Sequence, residues 1–142
     1  MMYLLDTDHI TLLEHRSGPA YAAFALRLNL HATDGIAVSV VSFHEQVLGA
    51  HDRIVTAKKP QELLRGYELM TGIVEHYRLF PVLPFEQNAL AQFDAFKRQK
   101  IRVGTMDLRI AAVAIANDLT LVTANNSDFA LVPGLRLENW TR

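Results

Sequence analysis

The chain has 142 residues, no cysteine, and 14 Lys+Arg against 15 Asp+Glu, a formal net charge of −1 with histidine neutral. A chain of one domain's length that is 50% hydrophobic and 20% charged builds its own core, which excludes intrinsic disorder, collagen-like repeats and disulfide-stapled scaffolds. The balanced charge also argues against a protein whose main task is coating nucleic acid; a nuclease stays open, because acidic metal ligands would hide a basic rim in the sum.

The chain opens Met-Met-Tyr-Leu-Leu-Asp, and an acid this early does not suit a signal peptide. The longest purely apolar run, Ile110 to Ala116, falls far short of the roughly 18 residues a membrane span needs. A soluble cytoplasmic protein, one domain over residues 1–142, is expected. Tyr3-Leu4-Leu5 is an apolar run ending at Asp6 and reads as a buried strand, with helical patterns after it over about 8–15 and 20–31. The turn signal Asp34-Gly35 then leads into the β-branched run Ile36 to Val41, a second strand. Helical spacing returns over 43–56 and 61–78, the latter opening at Pro60, where a missing N–H costs nothing. Phe80 to Phe85 carries two prolines and is confined to a short or edge strand. Helical patterns over 86–101 and 106–118 lead to a third strand, Leu119 to Thr123, and Leu135-Arg136-Leu137 is a candidate fourth. Unbroken apolar strands alternating with helices predict an α/β fold: a central, mainly parallel sheet of four or five strands flanked by helices. In such sheets ligands gather at the carboxyl ends of the strands.

Acids stand at those ends. Asp6 closes the first strand, and Thr7 or Asp8 is suited to cap the helix that follows. Glu45 lies in Ser42-Phe43-His44-Glu45, which has the spacing of a capping box and would pin the glutamate at the mouth of the sheet. Asp107 falls in the first turn of the helix opened by Gly104-Thr105-Met106, with Thr105 as the expected cap and the helix dipole favouring its charge. Asn125 and Asp128 follow the third strand in Ala124-Asn125-Asn126-Ser127-Asp128, where each is also an ordinary loop residue. Four distant segments thus aim oxygen ligands at one sheet edge, a donor set that suits Mg²⁺ or Mn²⁺ and not Zn²⁺. Carboxylates packed this way stay ionised only if a divalent cation neutralises them. Phosphodiester hydrolysis is the leading chemistry.

Leu4-Leu5-Asp6-Thr7-Asp8, Ser39 to Glu45, Gly104 through Ala112, and Leu121 through Asn125 to Leu135 together resemble the PIN-domain ribonucleases, and more narrowly VapC, the toxin of type II toxin–antitoxin modules. The resemblance spans the chain, including the closing Glu138-Asn139-Trp140. It implies a three-layer PIN-like fold and a Mg²⁺-dependent endoribonuclease, with Mn²⁺ as a substitute. The implied substrate is structured RNA such as tRNA, cut to leave a 5′-phosphate and a 3′-hydroxyl. It also implies a homodimer silenced by a VapB-type antitoxin. By position, Asp6 and Asp107 match the family's principal metal ligands, Glu45 its second acid, and the Asn125 to Asp128 loop its fourth polar position. Two departures stand out: the family commonly has Asn where this chain has Asp8, and either Asn125 or Asp128 completes the set.

Lys97, Arg98, Lys100 and Arg102 place four cations just before Asp107, either as a solvated helix end or as a grip on the RNA backbone. His9, His44 and His51 are scattered singly and read as packing or hydrogen-bonding residues. Phe24, Leu28, Phe43 and Leu48 are candidates for apolar surface beyond the core's needs. Two rival readings are a haloacid-dehalogenase-type phosphatase and a PIN-like module that binds RNA or a partner without cutting. Asp6-Thr7-Asp8 mimics the phosphatase signature, but Ile10 stands where that signature needs a hydroxyl.

Overall fold

A computed structural model describes residues 1–142. In chain order the elements are β1 (Tyr3–Leu5), α1 (Thr7–Ile10) continued by one 3-10 turn (Thr11–Leu13), α2 (Pro19–Leu30), β2 (Ile36–Ser39), α3 (Val40–Val55), α4 (Pro60–Tyr77), β3 (Val82–Leu83), α5 (Gln87–Arg98), α6 (Thr105–Ala116), β4 (Thr120–Val122), α7 (Asn126–Phe129) and β5 (Leu137–Glu138). The sheet runs β3-β2-β1-β4-β5 with every neighbouring pair parallel. The α/β expectation holds, and the proline-flanked β3 sits at an edge, where a lost donor is tolerated.

Each short strand feeds two cores because successive side chains face opposite ways. Leu4, Ala37 and Leu121 pack with Phe93 and Phe96 of α5, the buried face of α6, and Phe129. Tyr3, Leu5, Val38 and Val122 pack on the other face with Ile10, Phe24, Ile73, Tyr77 and Trp140. The result is helices, sheet, helices: three layers. Residues Ile110 to Ala114 of α6 are completely buried, and their small side chains let the helix lie close to the sheet.

The structure moves some boundaries for identifiable reasons. Strand β2 stops at Ser39 instead of Val41, because Ser39 Oγ accepts the Val41 N–H at 2.9 Å and caps α3 there. The expected Ser42–Glu45 capping box therefore does not form; both residues lie inside the helix. Gly104, not Thr105, is the cap position of α6, and Asp6, not Thr7 or Asp8, caps α1. The last strand is Leu137–Glu138, in register with Leu121 and Val122. Gly35 is required in the turn before β2: its φ is +89°, and a Cβ there would lie 2.6 Å from Met1 Cα.

Phe24 is fully buried, so it is core and not surplus. Leu28 and Phe43 pack partly buried against the same cluster, while Leu48 is exposed. More apolar surface lies on α4, at Leu63, Leu64, Tyr67 and Val74, and on α2, at Leu26 and Leu30. No helix is long and apolar enough to cross a membrane.

Candidate active site

From β1 the chain builds outward to β2 and β3, then returns to the far side of β1 for β4 and β5. The winding therefore reverses between β1 and β4, and the crevice at such a switch point is where open parallel sheets bind ligands. Asp6 and Thr123, the residues that follow these two strands, meet there: Thr123 Oγ1 donates to Asp6 Oδ2 at 2.8 Å. The other oxygen, Asp6 Oδ1, accepts the Thr7 N–H at 2.8 Å.

Asp6 is only 5% exposed. Burial and then the neighbouring Asp8 charge push its carboxyl up to about 7, against the pull of the Thr123 and Thr7 hydrogen bonds, with Asp107 adding a smaller upward push. Asp8 goes the other way. Burial works against its charge, but the hydrogen bonds it accepts from His9, the Ala124 N–H and the Thr123 hydroxyl together hold it below the usual carboxylate range.

Asp107 lies in the first turn of α6, half-buried. Its carboxyl is raised by burial first, then by the charges of Glu45, Asp128 and Asp8. Glu45 projects from the second turn of α3, also half-buried. With Asp6 it adds to the burial that raises the Tyr77 phenol. Asn125 precedes α7 and donates from Nδ2 to the exposed Asp128 at 3.2 Å, while its N–H donates to Thr123 Oγ1 at 3.0 Å. The acids expected to converge do share one electrostatic neighbourhood. They do not close into a cage: no three His, Asp or Glu side chains approach closely enough to hold an ion unaided.

The donor set still fits a hard divalent cation. Mg²⁺ keeps several waters and takes one or two protein carboxylates, so it needs no closed cage. The buried side-chain polar atoms without a partner are Thr7 Oγ1, Ser42 Oγ, Gln46 Oε1, Tyr77 OH and Asn126 Oδ1. Four belong to residues on the same short segments as Asp6, Glu45 or Asn125, and the fifth, Tyr77, lies in the field of Glu45 and Asp6. Unpaired buried groups of this kind are ones that ordered water or a bound ligand can satisfy. Sequence reading gave Ser42 only the role of a cap and singled out neither Gln46 nor Tyr77 as polar, because their spacing is that of helix faces packed in a core.

Lys97, Arg98, Lys100 and Arg102 are exposed at the end of α5 and in the loop before α6. Lys97 Nζ lies 5.4 Å from the Phe93 ring centre, and Arg109 approaches the same ring at 5.3 Å. None of the four forms a salt bridge within the chain. His9 is completely buried and hydrogen-bonds through both ring nitrogens. At the position where a phosphatase would need a hydroxyl, Ile10 is fully buried. Thr11 bonds back to the Thr7 and Asp8 carbonyls.

A parallel sheet with acidic side chains past the strands at its switch point defines an α/β domain of the ligand-binding kind. The PIN domain family matches residues 3–135. A ribonuclease VapC2 from Rickettsia felis is 50% identical over 143 residues, covering 100% of both chains. A ribonuclease VapC1 from Haemophilus influenzae is 27% identical over 145 residues, again at full coverage. The crystal structure of VapBC2 from Rickettsia felis bound to a DNA fragment from their promoter contains a chain of the same fold, with a TM-score of 0.73 at 24% identity over 99% of each chain. The chain belongs to the PIN-domain family and, within it, to the VapC group.

Proposed function

We propose that residues 1–142 form one PIN-like unit that acts as an endoribonuclease, the toxin of a VapBC-type pair, hydrolysing phosphodiester bonds in RNA in the cytoplasm. What supports this reading is that Asp6, Asp8, Glu45, Asp107 and Asp128, from four separate segments, lie near enough to feel one another's charge, with Asp6, at the end of β1, raised to about 7. Full-length relatives named ribonuclease VapC support it.

Asp6, Asp107 and Glu45 are the proposed ligands for Mg²⁺, which Mn²⁺ would replace, with Asn125 completing the set and Asp128 as a further acid at the rim. The bound ion supplies charge neutralisation, a hold on a phosphate oxygen and a lowered pKa for an attacking water. The chain's own groups do the rest. Thr123 fixes the Asp6 carboxylate, and the first turn of the buried helix α6 holds Asp107 in place. Lys97, Arg98, Lys100 and Arg102 hold the RNA backbone beside the acids. Cleavage leaves a 5′-phosphate and a 3′-hydroxyl, and tRNA is the first substrate class to test. The exposed apolar residues of α2 and α4 are surface for a VapB-type antitoxin and a second copy of the chain.

The test is purified protein incubated with a cellular tRNA pool, with Mg²⁺ or with chelator, followed by sequencing of RNA ends. Scission that requires Mg²⁺ and is absent in Asp6→Asn is the expected result. Tight RNA binding without scission would leave a binding module in its place.

A further inference from the structure

Two residues after Asp6 stands a second acid, Asp8, and next to it a histidine with no exposure to solvent. The imidazole has one assignable protonation pattern. The Trp140 backbone N–H points at His9 Nε2 from 3.1 Å, so that nitrogen accepts and carries no proton. The single proton therefore lies on Nδ1, which donates to Asp8 Oδ1 at 2.7 Å. Phe24 packs edge-on against the ring, centroids 5.3 Å apart at 82°, and Trp140 is itself clamped between Tyr3 and His31. Ring and tautomer are both held.

The chain of bonds continues into the crevice. Asp8 Oδ2 accepts the Ala124 N–H at 2.9 Å and lies 3.3 Å from Thr123 Oγ1, and that hydroxyl is the one that donates to Asp6. Both oxygens of Asp8 are thus committed to the protein.

We propose that His9 is a positioning residue, anchored by the Trp140 amide, that fixes Asp8 as an orienter of the β4 end and of Thr123 rather than as a metal ligand. Residues next to the C-terminus, 131 positions from His9, thereby help set the geometry of Asp6. The role rests on the metal-dependent ribonuclease reading for its purpose, but its tests are separable from it.

Two substitutions divide the functions of the ring. An asparagine places its amide nitrogen near the position of Nδ1, keeping the donor to Asp8 and losing the acceptor for Trp140. A glutamine reaches the position of Nε2, keeping that acceptor and losing the donor. With folding checked by thermal melting, Mn²⁺ titration by calorimetry should show His9→Gln losing about 10–100-fold in affinity, as loss of an outer-shell partner does, with His9→Asn recovering most of it. Equal affinities for wild type and His9→Gln overturn the proposal. In the wild type, nitrogen NMR should find the His9 proton on Nδ1 at neutral pH; a proton on Nε2 overturns it even if neither variant folds. A wild type that binds Mn²⁺ but cuts no RNA removes the ribonuclease reading and leaves this role standing. A wild type that binds no Mn²⁺ removes both.

Discussion

Thr123 Oγ1 donates to Asp6 Oδ2 across 117 residues of sequence, tying the carboxyl end of β4 to that of β1 at the point where the sheet reverses its winding. Removing that hydroxyl leaves a buried carboxylate oxygen and the Asn125 N–H without their partner. Thr123→Val is expected to cost about 1–3 kcal/mol, the desolvation penalty of an unmet buried group, and roughly 10–100-fold in Mg²⁺ affinity. Thr123→Ser keeps the hydroxyl and should stay near wild type in both. Melting curves and Mn²⁺ titration of the two variants check it.

Asp6→Asn and Asp107→Asn should each abolish Mg²⁺-dependent RNA cleavage, losing more than the roughly 10–100-fold typical of outer-shell changes, with the fold intact. Circular dichroism together with a gel assay separates the two effects. Retained cleavage would remove these side chains from the mechanism.

The raised Asp6 carboxyl makes the stability of the metal-free protein depend on pH. Asp6 binds its proton more tightly in the folded protein than in the unfolded chain, so the unfolded state loses protons first as pH rises from about 4. Its stabilising contribution is full below that point and is lost as pH climbs through about 7, worth at most about 4 kcal/mol at roughly 1.4 kcal/mol per pKa unit. Asp107, also raised, acts in the same direction, and Asp8, lowered, opposes it. The metal-free protein should melt several degrees higher at pH 5 than at pH 8, and millimolar Mg²⁺ should narrow the gap. A flat profile in chelator contradicts the coupling.

Lys100→Glu combined with Arg102→Glu tests the proposed RNA grip. Both side chains are exposed, so stability should change by less than about 0.5 kcal/mol. Binding of labelled RNA should weaken, and the slope of log affinity against log salt should flatten by about 0.7 for each phosphate that is no longer neutralised. An unchanged slope would return the run to the role of a solvated helix end.

Much of the architecture is legible in local pattern. Pro60 starts α4 and the prolines around Val82 confine β3 to an edge, because both effects act within a residue or two. Acids at strand ends are legible for the same reason: Asp6 stops an apolar run, and Asp107 falls in a first turn. The capping of α3 is not legible, since Ser39 and Ser42 are equally good caps by composition and only the end of pairing with β1 and β3 selects Ser39.

The residues alone determined that strands alternate with helices, that the strands are buried on both faces, and that oxygen donors end them; these follow from periodicity and side-chain chemistry, which are local. Only the folded chain decided that β4 and not β2 shares the crevice with Asp6, that Phe24 is core, and that His9 holds its proton toward Asp8. Strand order, burial and proton placement depend on distances between segments far apart in sequence, Asp6 and Thr123 by 117 residues and His9 and Trp140 by 131. Nothing in Leu4-Leu5-Asp6 by itself fixes whether Ser39 or Thr123 becomes its neighbour in the site.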